Sequence, residues 1–506
     1  MTGGLIQLAA YGSQDHYLTG NPQISYFKMV YRRYTNFSME GIKLSFEGET
    51  NINEQKTRKL ICKLNRNADL ISNIYFSFHL PSIYTSPDGK KFKWIKNIGT
   101  NIIDSVSIFI GGALIDKHYG EWLNIWKELN LSDAKKKCYD SLTGNIEELY
   151  DPVKFNNGNY PETEPTNGFN NVNKIDGCPS ITEQSLNVPL NFWFNRNIGL
   201  ALPLIALQYS PIEIHVELRP LVDLYLISDD GLRWYKPENL NTDGLHNFLR
   251  NTSFTESQGN NGPIRTIDLQ AYLEVNYIFL DVDERKRFAD TEHQYLIEQV
   301  GRTQSFGHYN ITHIDLMLHH PHKEIIWVAK RDDSYNRNDW NNYTNWIIED
   351  IPPYRNDYLT KYNLNSTYFP HVENNKFLDE QASNIEFRYL RKEIITKTNL
   401  LLNGLNRFGE KDYKYFNKVQ AFQHHNTNPK DGIHSYSFSI DPDKYQPSGS
   451  CNMSRINSIS IVFDVNQIPY NPENTLPYYK YDFNVYTINY NILRIMGGIG
   501  GLEFSN

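Results

Sequence analysis

Residues Ile212-Glu213-Ile214-His215-Val216-Glu217-Leu218-Arg219 alternate apolar and polar side chains without a break and stop at Pro220. Side chains on an extended strand point to opposite faces with a period of two, so this segment has one face in a core and one in water. A helix, with its period of 3.6, cannot bury that pattern on one side. The reading is an antiparallel sheet of a sandwich. Leu273-Glu274-Val275-Asn276-Tyr277-Ile278-Phe279 and Ile459-Ser460-Ile461-Val462-Phe463 repeat it, and Ile71 to Leu80 and Ser105 to Ile110 are further strand candidates. Composition agrees: 35 Tyr and 26 Phe against 6 Met favour pleated, half-buried surfaces, and abundant Asn, Gly and Pro favour turns and long loops.

Helical spacing is rarer. Trp122, Ile125, Trp126 and Leu129 fit one stripe, and Phe288, Tyr295, Leu296 and Val300 fit another, so short helices are expected in both places. Residues 146–190 and 331–390 read as long surface loops, which a fold tolerates because closure entropy grows slowly with length. The polar stretch 223–262, with Asp229-Asp230-Gly231 and Gln258-Gly259-Asn260-Asn261-Gly262, reads as a linker between two halves.

The halves echo one another. Ser107-Ile108-Phe109-Ile110 reaches Gly111-Gly112 and is followed by Tyr119 and the Trp122 stripe; Leu400-Leu401-Leu402 reaches Asn403-Gly404 and is followed by Phe408, Tyr413, Tyr415 and Phe416. In each, an apolar strand meets a tight turn and an aromatic segment follows. Two copies of one β-sandwich, each of eight strands in about 200 residues, fit the 506-residue length.

Several function classes are disfavoured. Fifty Lys and Arg against 58 Asp and Glu give a net charge of −8, the wrong sign for a chain whose task is to neutralise phosphates. No apolar run approaches the roughly 18–20 residues of a membrane span, and the opening residues do not read as a secretory signal. Cys62, Cys138, Cys178 and Cys451 are dispersed, with no thiolate zinc spacing, and reduced thiols are expected. His320, His322 and Glu324 would share one face of a strand and could in principle hold a divalent metal. Pro321 interrupts the ladder and the Glu follows too soon for a cupin-like set, so a rim or interface cluster is the expected role. No nucleophile elbow, phosphate loop or dinucleotide fingerprint is present, and Gly497-Gly498-Ile499-Gly500-Gly501 has no helix after it, so it reads as flexible backbone or tight packing at the terminus. No catalytic, cofactor or metal residue is assigned. Of the Asn-x-Ser/Thr sequons, Asn342 and Asn365 lie in the longer loop and are the expected accessible acceptors if any is glycosylated.

Three segments carry a resemblance. Gly3-Gly4-Leu5-Ile6-Gln7-Leu8 through Tyr11-Gly12-Ser13-Gln14-Asp15, Tyr17-Leu18-Thr19-Gly20-Asn21-Pro22 and Val30-Tyr31-Arg32-Arg33 form the first. Gln446-Pro447-Ser448-Gly449-Ser450-Cys451-Asn452-Met453-Ser454-Arg455-Ile456 is the second, and Asn489-Tyr490-Asn491-Ile492-Leu493-Arg494-Ile495-Met496 with Gly500-Gly501-Leu502 is the third. Together they resemble the major capsid proteins of nucleocytoplasmic large DNA viruses, from residue 3 to the end of the chain.

The resemblance implies an all-β chain of two consecutive eight-stranded antiparallel jelly rolls with short helices and long loops. It divides as an N-terminal base arm (1–26), jelly roll 1 (27–222), linker (223–262) and jelly roll 2 (263–506). It further implies homotrimers of pseudo-hexagonal outline that tile an icosahedral shell, assembled in the host cytoplasm, with a base side facing minor capsid proteins and an internal membrane, and no direct contact with nucleic acid. Tyr11, Tyr17, Tyr26, Tyr31, Arg32 and Arg33 of the arm mix rings with cationic heads and are the expected partner contacts; the opposing reading has Phe27, Val30 and Phe37 enter the first sandwich. The alternatives are a minor or specialised capsid paralogue and, from a different class, a glycan-binding or metal-dependent β-barrel protein.

Overall fold

The structure, a computed structural model, describes residues 2–86, 88–161, 179–231, 234–249, 254–259, 262–347, 349, 391–468, 477 and 479–504. The first eight-stranded unit comprises β1 (Phe37–Ser45), β2 (Arg58–Lys63), β3 (Leu70–Leu80), β4 (Ile103–Ile110), β5 (Ala113–Tyr119), β6 (Gln184–Pro189), β7 (Ile212–Leu218) and β8 (Tyr272–Leu280). The second comprises β9 (His293–His308), β10 (Thr312–Asp315), β11 (Pro321–Arg331), β12 (Ile395–Leu402), β13 (Leu405–Asn406), β14 (Ile433–Ser437), β15 (Ile459–Val465) and β16 (Tyr481–Met496).

Strand order shows what these units are. One sheet of the first runs β1-β8-β3-β6 and the other β2-β7-β4-β5; the second unit runs β9-β16-β11-β14 and β10-β15-β12-β13. Both place first beside eighth, eighth beside third and third beside sixth in one sheet, with second, seventh, fourth and fifth in the other. This is the jelly-roll order, two sheets packed face to face and left open at their edges rather than closed as a barrel. The alternation in β7 does what its sequence requires: Ile212, Ile214, Val216 and Leu218 are buried and the polar residues between them are not. They meet Ile74, Phe76, Leu273 and Val275 of the facing sheet in one core. The second core gathers Trp327, Phe416, Phe463, Phe483 and Val485, with Phe463 and Phe483 stacked at 4.9 Å between centroids.

The sequence echo falls on equivalent hairpins. Gly111 (φ 59°) and Gly112 (φ 83°) join β4 to β5, and Asn403 (φ 51°) and Gly404 (φ 75°) join β12 to β13. Two successive positive φ values make the tight turn that matches strand twist, which Gly and Asn adopt at least cost. After each hairpin comes a helix. In the first roll it is the helix Gly120–Asn130; in the second, a π turn Tyr415–Val419 runs straight into Gln420–His424.

The structure corrects three expectations. Residues 223–262 are not a linker: Tyr225–Ser228 pairs with Lys91–Trp94, and Phe254–Gly259 belongs with Gly262–Asp268 and Asn51–Asn53. The first roll closes only with β8, which pairs with β1 and β3, so the halves divide after residue 280. The helix expected over Phe288, Tyr295, Leu296 and Val300 ends at Asp290 (helix Val282–Asp290), and His293–His308 is a strand. Finally, the stretch 146–190 carries two short helices, Glu147–Tyr150 and Pro152–Phe155, and ends in β6. Of 331–390, residues 350–390 lie outside the described residues.

Candidate assembly surfaces

Among the described residues the N-terminal segment is the longest stretch without a buried side chain. From residue 2 to residue 36 no side chain is buried, and the helix Gly3–Ala9 buries nothing. Its hydrogen bonds stay local: Gly12 N donates to Asp15 Oδ2 at 2.8 Å, and Thr19 Oγ1 donates to Asp15 O. Tyr11, Tyr17, Tyr26 and Tyr31 are exposed, as are Arg32 and Arg33, and so are Leu8, Leu18, Ile24, Met29 and Val30. The exposed arm is therefore longer than 1–26 and includes all six expected contact residues. Phe27 is 98% exposed and Val30 and Phe37 are also exposed, so within one chain they do not enter the first sandwich.

A second surface is already covered, by the chain itself. The helix Gly120–Asn130 lays Trp122, Ile125 and Leu129 on the outer face of the second roll's β11 and β16, against Ile326, Val328, Tyr486 and Ile488. Trp122 and Tyr486 rings lie 5.5 Å apart. The helix can start so close to its own sheet because Gly120 has no Cβ; one would lie 2.2 Å from Ile103 O and 2.3 Å from Thr100 O. This explains why β16 is buried along its whole first two-thirds, since one face fills its own roll's core and the other receives the helix. At the helix start, Glu121 Oε1 meets Lys330 Nζ at 2.5 Å, while Tyr486 OH and Asn484 Nδ2 both donate to Glu121 Oε2. Burial alone would raise the Glu121 carboxyl, but the Lys330 ammonium and the Tyr486 hydroxyl outweigh it and hold the group below the usual carboxylate range.

Further contacts tie the rolls together. Val300 N donates to Asp116 Oδ1 at 3.1 Å, and Arg302 stacks over Tyr119 at 3.5 Å. Glu298, in β9, pairs with both Lys323 and Arg196 of the first roll. After β16, Gly497 and Gly498 turn the chain into the strand Ile499–Leu502, and Tyr209 N donates to Gly498 O at 2.9 Å. The glycine-rich end is thus a packed hairpin against the first roll, the second of the two readings its sequence left open.

The histidine cluster has a structural explanation. His322 Nδ1 lies 3.1 Å from His320 O, and burial pushes His322 down to about 4, so it stays neutral. Glu324 turns to His425 Nε2 at 2.7 Å, whose Nδ1 meets Asp443 at 2.8 Å. Burial opposes a charge on His425, yet the two carboxylates raise it to about 10. Among the described residues no group of three His, Cys, Asp or Glu side chains is arranged to hold a metal. Cys62, Cys138 and Cys451 are free thiols. Asn342 corrects another expectation: it is 4% exposed, its Nδ2 donates to Trp346 O and Ile347 O, and its Oδ1 accepts from Thr344 N, so it is not an accessible acceptor. Asn365 lies outside the described residues.

Sequence and structure comparisons converge on one family. The family described as large eukaryotic DNA virus major capsid protein matches residues 284–501, and the one described as major capsid protein N-terminus matches residues 25–281, a division that coincides with the end of β8. The chain is 34% identical to the major capsid protein of Phaeocystis pouchetii virus over all of both chains. It is 32% identical to the probable capsid protein 4 of Acanthamoeba polyphaga mimivirus, again over all of both. Its fold superposes on the quasi-atomic PBCV-1 virus capsid with a TM-score of 0.65 at 26% identity, covering 95% of this chain and 100% of that one. These relatives are structural proteins of virus shells, not enzymes. With two jelly rolls in one chain and full-length similarity to such proteins, the chain belongs to the major capsid protein family of large eukaryotic DNA viruses.

Proposed function

We propose that three copies of this chain form a capsomer of pseudo-hexagonal outline, and that such capsomers tile the faces of a large icosahedral shell. The carrying observation is the repeat: two rolls of identical strand order, held side by side by a buried helix and a buried ion cluster. Fixing two similar units in one chain and closing three chains about an axis yields six similar units around that axis. Contacts between capsomers can then be individually weak, since many act together. The arm, with Tyr11, Tyr17, Tyr26, Tyr31, Arg32 and Arg33, is the surface for minor capsid proteins or the internal membrane on the base side, and long loops lie outward, with assembly in the host cytoplasm.

Light scattering on the purified full chain tests the trimer: three times 59.1 kDa is about 177 kDa. Negative-stain images should show six-cornered tiles; a stable monomer or dimer at micromolar concentration refutes the proposal. The similarity to a probable capsid protein 4 favours a second reading, that of a specialised paralogue used sparingly in a particle whose shell is mostly another chain. Band intensities of purified virions separate the two, since a major species dominates the stained gel.

A further inference from the structure

The two post-hairpin helices are equivalent in fold and opposite in fate. Within the first roll's helix, Leu123, Asn124, Lys127 and Glu128 point to their own roll and are buried, while Trp122, Ile125 and Leu129 cover the second roll. In the second roll Phe416, Asn417, Gln420 and Ala421 are buried in the same spacing. Asn124 and Asn417 even share a role, each donating from Nδ2 to backbone carbonyls, of Gly120 and of Ile433 respectively. Setting these residues in register makes Tyr415, Lys418, Val419 and Phe422 the counterparts of Trp122, Ile125, Trp126 and Leu129. In the single chain Tyr415 is half-buried against its own roll's core, but the rest of that stripe is uncovered: Phe422 is 90% exposed and Val419 40%. Beside it lies an open groove of about 710 Å³ lined by Lys418, Val419, Phe422 and His425.

The receiving faces correspond in the same way. In both rolls the third and eighth strands carry a register shift, between Val275 and Tyr277 in the first and between His322 and Glu324 in the second. Counting from that bulge with inward residues in step puts the pair Tyr75–Glu274 where Ile326–Tyr486 stands. The latter pair is under the helix. The former, with Asn73, Tyr272 and Asn276, is half-exposed, and none of these side chains joins an apolar cluster among the described residues.

One chain therefore uses one helix stripe and one sheet face on each other, and has one of each left over. We infer that the leftover pair meets between copies: the Tyr415–Phe422 stripe of one chain seats on the outer face of β3 and β8 of the next. Such a head-to-tail contact repeats the internal one and closes after three chains. Lys418, which replaces apolar Ile125, already pairs with Asp431 of its own roll at 3.1 Å, while the sheet position that matches Tyr486 is the acidic Glu274. Aromatic and aliphatic anchors in such a seat are the residues whose truncation breaks an interface. The inference rests on the trimer proposal but assigns its surfaces.

The experiment is arranged so that the two can fail separately. Light scattering on the full chain gives about 177 kDa if the trimer stands, and the V419D/F422D variant, altered only at exposed positions, should then run as a folded 59.1 kDa monomer with an unchanged circular dichroism spectrum. A wild-type trimer whose V419D/F422D form is equally trimeric overturns the surface assignment alone; a wild-type monomer overturns the proposed function. As a second readout, Tyr415→Cys with Glu274→Cys, in a chain whose Cys138, Cys178 and Cys451 are serine, should give dimer and trimer bands with a short bis-maleimide. Only monomer bands from a trimeric sample would also refute the assignment.

Discussion

Replacing Glu121 by Ala should destabilise the fold more than almost any other single change at the junction of the rolls. Glu121, Lys330, Asn484 and Tyr486 are all buried, and the carboxylate is the shared partner of the other three. Removing it strands a buried ammonium, a loss of about 3–5 kcal/mol. The Tyr486 hydroxyl and Asn484 amide lose their acceptor too, which adds about 1–3 kcal/mol for a group left unsatisfied. The total is at least about 4 kcal/mol, a large share of the roughly 5–15 kcal/mol that stabilises a domain. Lys330→Met should cost less, because the carboxylate keeps two donors. The double variant should be milder than the sum of the singles, with a coupling of about 2–3 kcal/mol. Urea unfolding followed by tryptophan fluorescence reads all three, and Trp122, against Tyr486, reports from the contact itself. A loss below about 1 kcal/mol for E121A, or strictly additive singles, would show that the ion cluster does not hold the rolls together.

Acid should weaken the fold through two buried neutral histidines. His322 and His434 are each pushed down to about 4 by burial. Their ordinary value is near 6.5, so the unfolded chain takes up these protons first; the stability they contribute is present above about 6.5 and is lost as pH falls towards 4. Replacing either by Gln should flatten the melting-temperature curve across that window, and an unchanged slope would count against the assignment. His425 works the other way: held at about 10 by Glu324 and Asp443, it contributes stability fully present below about 6.5 and lost as pH rises through 10, so H425Q should remove alkaline sensitivity. Gly120→Ala should cost about 1–3 kcal/mol through the clash of its Cβ with two backbone carbonyls, seen as a lower urea midpoint; a midpoint equal to wild type would mean the helix can shift freely. Deleting residues 1–36 should leave the melting temperature of the isolated protein unchanged, since no side chain from residue 2 to residue 36 is buried, and a lowered one would show that the arm packs on the body.

The repeat was legible because it is local. A hairpin turn with two positive φ values needs Gly or Asn at adjacent positions, and the helix after it needs a stripe, so Gly111-Gly112 with Trp122 and Asn403-Gly404 with Tyr415 could be matched without coordinates. What escaped was non-local. β8 pairs with β1 across more than 200 residues, and period-two alternation says that Leu273, Val275 and Tyr277 face a core but not whose core. The same blindness turned the strands around 225 and 254–268 into a linker. The helix expected beyond Asp290 failed for another reason: β9 lies at the junction of the rolls, where Glu298 and Gln299 are buried as well as Ile297, so the clean alternation of a one-sided sheet is missing. Asn342 shows the limit of reading accessibility from composition, since a polar loop residue can turn inward and satisfy the backbone around it. For the surfaces, the arm's rings and cations could be read directly, and so could the Trp122 stripe. That the stripe covers a neighbouring roll rather than its own could not.

The contrast between the two stripes bears on how the chain survives its own synthesis. Trp122, Ile125, Trp126 and Leu129 have their cover supplied by the same polypeptide, so once both halves are folded they never wait for a second molecule, and selection can make them as oily as packing allows. Lys418, Val419 and Phe422 face water for as long as a newly made chain is alone. A lysine in that row keeps it soluble at the expense of grip. Joining two rolls in one chain thereby makes the first of these joints permanent, while the Val419–Phe422 row stays wettable.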